Sequence, residues 1–533
     1  MHKEIDSRNQ AVIYTLNDLI KADNPVRTLD ALVDEVIHRG KIDIPTGKST
    51  LGRRAYSAVD LVKLFIYGYI NGITSCRSLE HAAEINLEVH WLIKGQVPSY
   101  KTISDFRKNN SSFIRQIYNE FISLLMDSTF ITNKTWVLDG NKIKASASRD
   151  MLSVRNLKKQ VLALDLQIET LLDEQTDNKK SFPEEHDDDP QGGSSSGGSA
   201  SGADELGQKI KSRDEMLSLI EEAVSSDKNY ISPTDSDALL IRSRRGTCAG
   251  YNAQVVVDAE NHMIVGLELA DVAADTKSLY TVIKSTSENV NANPETVLAD
   301  KGYTNYSDIQ RVYEEITEGV RVQLQKTKRE NSKLSFTYVK EHEHVICPQG
   351  KIMKYRGQQS HRGLTYTAFQ CDECGSCPIR TQCTKSPNGR TYRLSENHEF
   401  MEMYRALMQS DTAIELTKRR KCIVEHVFGT IAHMMHYNGF KLRGKDKVMT
   451  EMHLHAIGYN FKRLFKLLSP TKLPGLSNKM RLAALMHFYF ALISSLYVRV
   501  SLYIAPIRKK WGIYSRFSDK FRLYDALSLH CHC

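Results

Sequence analysis

Two short apolar runs in this 533-residue chain stop at an aspartate. The stretch TWVLDGNKIKASAS, residues 135–148, opens on Trp136, Val137 and Leu138, then places Asp139 and follows it with Lys142 and Lys144. The stretch TVLADKGYTN, residues 296–305, repeats the design, with Val297, Leu298 and Ala299 running into Asp300. Asp-Gly is a common turn dipeptide, so one such ending is ordinary turn chemistry. Two of them open a second reading, a pair of metal ligands presented where two core strands end at one edge of a sheet. Phosphoryl transfer on two divalent ions uses carboxylates that bridge ions about 3.5–4 Å apart. Magnesium takes hard oxygen ligands and keeps several waters, so three carboxylates suffice.

The third carboxylate is sought on a helix packed against the same edge. KRRKCIVEHVFGTIAHMM, residues 418–435, carries an apolar stripe of Ile423, Val424, Val427, Phe428 and Ile431, with Glu425 set inside it. A charge in that setting is costly unless it is paired or bound to metal. The plainer alternative is a solvated basic face with Glu425 at its edge. From Lys418 to Arg463 there are ten Lys/Arg against three Asp/Glu, a concentrated basic surface. Arg420, Lys421, Lys441 and Arg443 lie in it as candidate phosphate contacts.

A second constellation is built from sulfur. CDECGSCPIRTQC places Cys371, Cys374, Cys377 and Cys383 within one short stretch, with Cys347 upstream in VICPQG. Thiolates at two-residue spacing bring two sulfurs onto one turn, where tetrahedral zinc is chelated at about 2.3 Å. Four of the five suffice. Iron–sulfur and free thiols remain alternatives, although a ferredoxin-like run has a shorter last spacing and a proline after it. Cys76, Cys248 and Cys422 are isolated and read as core residues.

The elements that must position these groups follow from periodicity. Residues 55–126 are helical in pattern, and SAVDLVKLFIYGYINGI begins behind Ser57 with Asp60 three residues on, a capping box. Short helices with turns fit either a helix-turn-helix unit or a plain helical bundle. Residues 151–230 read as two antiparallel helices around an acidic, then Gly/Ser-rich loop at 181–205, too polar to order itself. YNAQVVVDAENHMIVGLELA, 251–270, reads as a β-hairpin turning near Glu260-Asn261, followed by a helix and the strand that reaches Asp300. Strand, long insertion, strand, strand, helix, strand is an order that builds a mixed α/β sheet. If the first and fourth strands are neighbours, Asp139 and Asp300 meet.

Composition sets the outer bounds. A hydrophobic share of 41% and a charged share of 25% are ordinary for a globular protein of two to four domains. The net charge of +9 suits nucleic acid or another anionic surface without proving either. The opening residues MHKEIDSRNQ do not read as a secretory signal, and ten cysteines in this length do not read as a disulfide scaffold, which fits a cytoplasmic protein. ALMHFYFALISSLYV, 484–498, is shorter than the ~18–20 residues a bilayer span needs and reads as a buried or interface helix, with no membrane partner.

Taken together, VLDGNKIKA, TDSDALLIRSRRGTCAGYNAQVVVD, VLADKGYTN and RRKCIVEHVFGTI…GFKLRGKDKV…LHAIGYNFKRL resemble the DDE transposases of bacterial insertion sequences. The likeness runs from about Ala55 to Leu464, and it is specific because four separated motifs occur in order. It implies an RNase H-like α/β domain, residues 129–470, preceded by an all-α helix-turn-helix-type DNA-binding domain, residues 1–128. The catalytic domain would carry the helical insertion 151–230 and a Cys-rich insertion at 340–390. It also implies catalytic roles for Asp139, Asp300 and Glu425 on two Mg²⁺ or Mn²⁺ ions, double-stranded DNA as partner, a homodimer in the synaptic complex, and a place at the nucleoid.

Under that resemblance Lys101, Arg107 and Lys108 are candidate phosphate contacts in the helical region. Lys301 and Tyr303 would position the DNA backbone, and Asn252 and Gln254 are weaker site candidates. Two departures stand out. Related proteins carry a tyrosine and an arginine before the glutamate, whereas here Lys421 stands four residues before Glu425, beside Arg420. They carry a lysine about two turns after it, whereas here Ala432 stands seven residues on. Residues 471–533 show no likeness and read as an appendage. A metal-dependent nuclease without strand transfer, or a DNA-binding protein derived from a transposase, are the rival readings.

Overall fold

The computed structural model describes residues 15–468, apart from 47–54, 149–150, 181–199, 244–245, 325–333, 362–363 and 437. The appendage 471–533, its apolar stretch 484–498 and most of the expected loop 181–205 lie outside those residues. The end of that loop differs from expectation, because the chain is helical from Ala200.

The chain begins with helices α1 (Leu16–Leu19), α2 (Pro25–Arg39), α3 (Ala58–Ile70), α4 (Cys76–Ile85), α5 (Leu87–Leu92), α6 (Tyr100–Asn109) and α7 (Ser111–Asp127). Their starts are chemically marked. The Ser57 and Ser75 hydroxyls accept from the backbone N–H of Asp60 and Ser78, and Ser99 accepts from Thr102. The full capping box expected at Ser57 is not formed. Asp60, buried, instead accepts from the Lys94 ammonium at 2.9 Å.

A sheet follows: β1 (Thr135–Lys144), β4 (Leu239–Ser243), β5 (Gly246–Asp258), β6 (Ile264–Ala270), β7 (Thr296–Ala299) and β8 (Val320–Val322). Its order is β4-β5-β1-β7-β8, with β6 also paired to β5. Between β1 and β4 rise β2 (Leu152–Ser153), α8 (Val154–Lys180), α9 (Ala200–Ser225) and β3 (Tyr230–Ile231), the expected helical excursion. The β5–β6 hairpin turns at residues 259–261, as its Glu260-Asn261 signal predicts. Helix α10 (Leu279–Val290) joins it to β7, and α11 (Tyr306–Glu315) joins β7 to β8. Both are right for a parallel crossover, and β7 lies parallel to β1 and to β8.

One expectation needs correction. The strand carrying Asp139 does not stop there but continues to Lys144, because β5 runs on antiparallel to it and pairs Gly140 with Gln254 through to Lys144 with Gly250. Asp139 is therefore mid-strand, whereas Asp300 does close its strand.

The later cysteines sit in a separate five-stranded sheet of β9 (Thr337–Val339), β10 (His344–Ile346), β11 (Ile352–His361), β12 (Leu364–Gln370) and β13 (Thr391–Ser395), with α12 (Arg380–Cys383) inserted. It has its own small core around Val345, Met353, Phe369 and Leu394. The chain then returns through α13 (His398–Met408), α14 (Asp411–Met434) and α15 (Lys445–Leu468).

Helix α15 ties the molecule together. It packs on α3 and α7 on one side and on β6 and α14 on the other, so one continuous core runs from Ile20 to Leu464. Its middle is buried nearly all round, and that includes polar residues. Glu451 accepts the backbone N–H groups of Lys441 and Leu442 at 3.0 and 3.1 Å, which fixes the loop before the helix. Arg107, expected on a DNA-facing surface, is instead buried beside this network. Its guanidinium donates to the Tyr69 hydroxyl at 3.3 Å and lies 5.6 Å from the Phe65 ring centre. Its helix buries Ile103 and Phe106 on the same side, so the α6 face that carries Arg107 is the core face.

His453, also in α15, is buried with its ring 4.8 Å from that of Tyr118. Burial, reinforced by Arg115, pulls its pKa down to about 3. The unfolded chain thus takes up this proton first, and the stability carried by the neutral ring is lost as pH falls below 6.5 towards that value. His453→Phe is expected to soften the acid limb of a plot of melting temperature against pH. Parallel wild-type and variant curves below about pH 6.5 would refute this.

Candidate functional site

Parallel pairing of β1 with β7 sets Thr135 against Thr296 and Val137 against Leu298. Continued two residues, that register brings Asp139 level with Asp300, about one strand spacing of 4.8 Å apart. The two expected carboxylates therefore share one end of the sheet. The Asp300 side chain folds back to cap the short 3-10 turn Lys301–Tyr303, accepting the N–H of Gly302 at 2.7 Å. Asp139 accepts the N–H of Gly140 at 2.9 Å through one oxygen and the Arg420 guanidinium at 2.9 Å through the other.

The electrostatics of Asp139 follow from this crowding. Burial pushes its pKa up, Arg420 opposes that, and the nearby charge of Asp300 raises it further. Two like charges in a half-buried setting call for cationic compensation. Arg420 supplies it, being buried and directed inward from α14, which packs on β1, β7 and β8. Its expected role as a phosphate contact is corrected accordingly. Glu425 lies on the same helix, five residues later, and it is exposed. The burial argument for it fails, since the apolar stripe of Ile423, Val424, Val427 and Ile431 faces the core and Glu425 stands on the flank beside Lys421.

Tyr303 differs from expectation as well. It is fully buried, its hydroxyl donates to the side-chain carbonyl of Gln254, and burial drives its pKa well above the ordinary tyrosine value. It braces the turn behind Asp300 and is closed to DNA. Asn252 and Gln254, alternate residues on β5, are both fully buried. Their amide groups donate to one oxygen of Asp275, at 2.8 and 2.9 Å.

Asp275 has no counterpart among the sequence expectations. It lies in an irregular run between β6 and α10, where no periodic pattern points to it. The available signal was the pair of amides at i and i+2 on an otherwise apolar strand, which predicts a buried polar partner.

Other expected contacts are on the surface. Lys101 and Lys108 are exposed on α6, and Lys301 is exposed at the start of its turn. Arg443 donates to the Ser146 carbonyl at 2.6 Å and Lys441 to the Thr74 hydroxyl at 2.5 Å. Phe440 donates its N–H to the Lys144 carbonyl at 2.9 Å, so this loop lies along the outer end of β1, where Lys142 and Lys144 are exposed. Lys142, Lys144, Lys441 and Arg443 make a basic border along the part of β1 that runs on past Asp139.

Cys347, Cys371, Cys374, Cys377 and Cys383 all line one cavity of about 200 Å³. The Arg390 N–H donates to the Cys374 sulfur at 3.4 Å, and burial raises the Cys371 thiol to about 11. Cys422, expected in the core, is exposed. Among the described residues no group of three or more His, Cys, Asp or Glu is gathered closely enough to hold a metal ion. The donor types still suit metal at both places: hard oxygens at Asp139 and Asp300, and five soft sulfurs around one cavity.

Gly140 is fixed by this packing. A Cβ there would meet the Gln254 amide nitrogen at 2.6 Å and an Asp275 oxygen at 2.7 Å. Gly140→Ala is expected to destabilise the fold by about 1–3 kcal/mol through overpacking next to Asp139. An unchanged denaturation midpoint would contradict that packing.

Residues 346–465 match the family model of a transposase DDE domain, and residues 14–109 match that of a transposase domain. No curated protein matches the chain. Among solved structures, the cryo-EM structure of a piggyBac transposase synaptic complex with hairpin DNA is 11% identical, spanning 86% of this chain and 87% of that one at a TM-score of 0.22. A likeness of that size carries no argument about the fold. Among the described residues, no helix is long and apolar enough to cross a membrane.

Proposed function

Two domain matches support a DDE transposase of an insertion element, and on that premise we propose that the chain binds the element's ends and cleaves and joins DNA at Asp139 and Asp300. The observation that carries this reading is the parallel β1–β7 register that sets the two carboxylates side by side, with α14 packed across both strands. Asp139 and Asp300 would hold divalent cations, Mg²⁺ or Mn²⁺, with Glu425 joining them from α14. Bound there, such ions supply an activated oxygen nucleophile and neutralise charge on the phosphate.

The chain's own residues divide the remaining work. Arg420 opposes the upward pull of burial on the Asp139 carboxyl and orients it. The cap at Gly302 and the buried Tyr303 hold Asp300 in place. Lys142, Lys144, Lys301, Lys421, Lys441 and Arg443 present positive charge around that edge, where the DNA backbone would lie, while Lys101 and Lys108 extend the grip on α6. In the cleavage step water attacks phosphorus and the P–O3′ bond breaks, leaving a 3′-hydroxyl on one side of the nick and a 5′-phosphate on the other side, in the same strand. In the joining step that hydroxyl attacks a target phosphodiester, with no covalent enzyme intermediate. A new P–O3′ bond forms to the element end as the target's own P–O3′ bond breaks and leaves as a 3′-hydroxyl. Two ends handled together call for at least a homodimer, at the nucleoid. The mixed sheet is read as RNase H-like and the leading helices as the helix-turn-helix-type DNA-binding part.

The test is purified protein with Mg²⁺ and labelled DNA carrying the element's ends, beside Asp300→Ala. We expect cleaved and joined products from the wild type and a loss of about 10²-fold or more in the variant, the scale of losing one electrostatic stabiliser. Cleavage without joining would indicate a nuclease. Binding without any Asp300-dependent chemistry would indicate a transposase-derived DNA-binding protein.

The cysteine cavity is read as a structural zinc site using four of its five thiols, which closes the small five-stranded sheet. Elemental analysis should find about one zinc per chain, with Cys374→Ser losing it. Visible absorbance from an iron–sulfur cluster, or metal-free protein with an unchanged melting curve, would refute this.

A further inference from the structure

Behind the two carboxylates lies a chain of polar side chains that converges on Asp275. The Gln254 amide also donates to Asn252 Oδ1 at 3.0 Å, and the Asn252 amide to the Val272 carbonyl at 3.3 Å. Asp275, as a carboxylate, can only accept hydrogen bonds. Its Oδ1 takes an N–H from Asn252 at 2.8 Å and an N–H from Gln254 at 2.9 Å. That turns the NH₂ end of Gln254 towards Asp275 and leaves its carbonyl end facing the other way. The Tyr303 hydroxyl donates to that carbonyl. Tyr303 is the last residue of the turn that begins directly after Asp300. Asn252, Gln254 and Tyr303 have no solvent exposure, and Asp275 is half-buried at the outer end of the chain.

The same cluster touches β1. The position a Gly140 Cβ would take lies 2.7 Å from Asp275 Oδ1, 2.6 Å from Gln254 Nε2 and 3.1 Å from the Tyr303 hydroxyl. The position a Gly302 Cβ would take lies 2.8 Å from Asp300 Oδ1 and 3.5 Å from Asp275 Oδ2. The polar chain is thus wedged between the residue after Asp139 and the turn after Asp300.

We propose that Asp275 is a positioning residue for the Asp139–Asp300 pair: by orienting the Gln254 amide and through it Tyr303, it sets the spacing of the two carboxylates and hence their grip on divalent cations. This rests on the reading that Asp139 and Asp300 bind such cations. Outer residues that orient ligands commonly change metal affinity by about 10–100-fold when removed.

Mn²⁺ titration calorimetry on the full chain tests it, with wild type, Asp275→Ala, Asp275→Asn, Tyr303→Phe and Asp300→Ala. We expect Asp275→Ala and Tyr303→Phe each to weaken Mn²⁺ binding about tenfold or more. Asp275→Asn keeps an acceptor oxygen for the two amides and should recover most of the affinity. Raising Mn²⁺ should restore cleavage in Tyr303→Phe, showing that the turnover step itself survives.

Wild-type affinity in both Asp275→Ala and Tyr303→Phe would overturn the proposal. So would a loss in Asp275→Asn as deep as in Asp275→Ala with Tyr303→Phe unaffected, because Asp275 would then act by its charge. If Asp275→Ala fails to fold, Tyr303→Phe, which removes one hydroxyl, still decides. Should Asp300→Ala bind Mn²⁺ like the wild type, the underlying metal reading fails, a separate result.

Discussion

The parallel pairing of β1 with β7 puts two carboxylates at one level of one sheet, and most of the surrounding structure answers the repulsion this creates. Asp139 is pushed towards protonation both by burial and by its neighbour Asp300. The protein counters with the Arg420 guanidinium from one side and with backbone N–H groups on each carboxylate. An arrangement that keeps like charges close is unfavourable for folding alone, and it becomes useful where a multivalent cation is to be held. Helix α14 is the means of compensation, since its buried face rests on β1, β7 and β8. The loop after it is pinned in turn by Glu451 and by the carbonyl of Lys144. Through α15 that loop is continuous with the core of the leading helices. The basic border and the carboxylates thus belong to one packed unit.

Much of this was legible in the sequence, and the reasons are physical. Apolar runs of three residues before Asp139 and Asp300 reflect strands buried on both faces, where helices cover the sheet. The β5–β6 hairpin was marked by its β-branched run and its Glu260-Asn261 turn, and α8 and α9 by the helical stretches on either side of the acidic, Gly/Ser-rich loop. The two aspartates were found because a strand with no solvent face leaves few reasons for a charge. The family resemblance then gave that pair a role, and the matches at 14–109 and 346–465 support the family on either side of it.

What was missed depends on partners distant in sequence. Arg107 and Arg420 look like surface cations among other cations, yet both are buried, and their partners Tyr69 and Asp139 lie 38 and 281 residues away. A basic run does not reveal which of its members turns inward. Glu425 was expected to be enclosed by its apolar neighbours, but those neighbours occupy a helix face it does not share. The end of β1 was misplaced because Asp-Gly reads as a turn locally, while the ladder to β5 carries the strand past it. Asp275 sits in an irregular segment, and its place is set by two amides that the strand period puts on one face.

The central claim is that Asp139 and Asp300 act as one cation site. A double-mutant cycle on Mn²⁺ affinity tests it most directly, using Asp139→Asn, Asp300→Asn and the two combined. One shared site predicts that either change removes most of the binding and that the second adds little. Losses that simply add, as for independent positions, would contradict it.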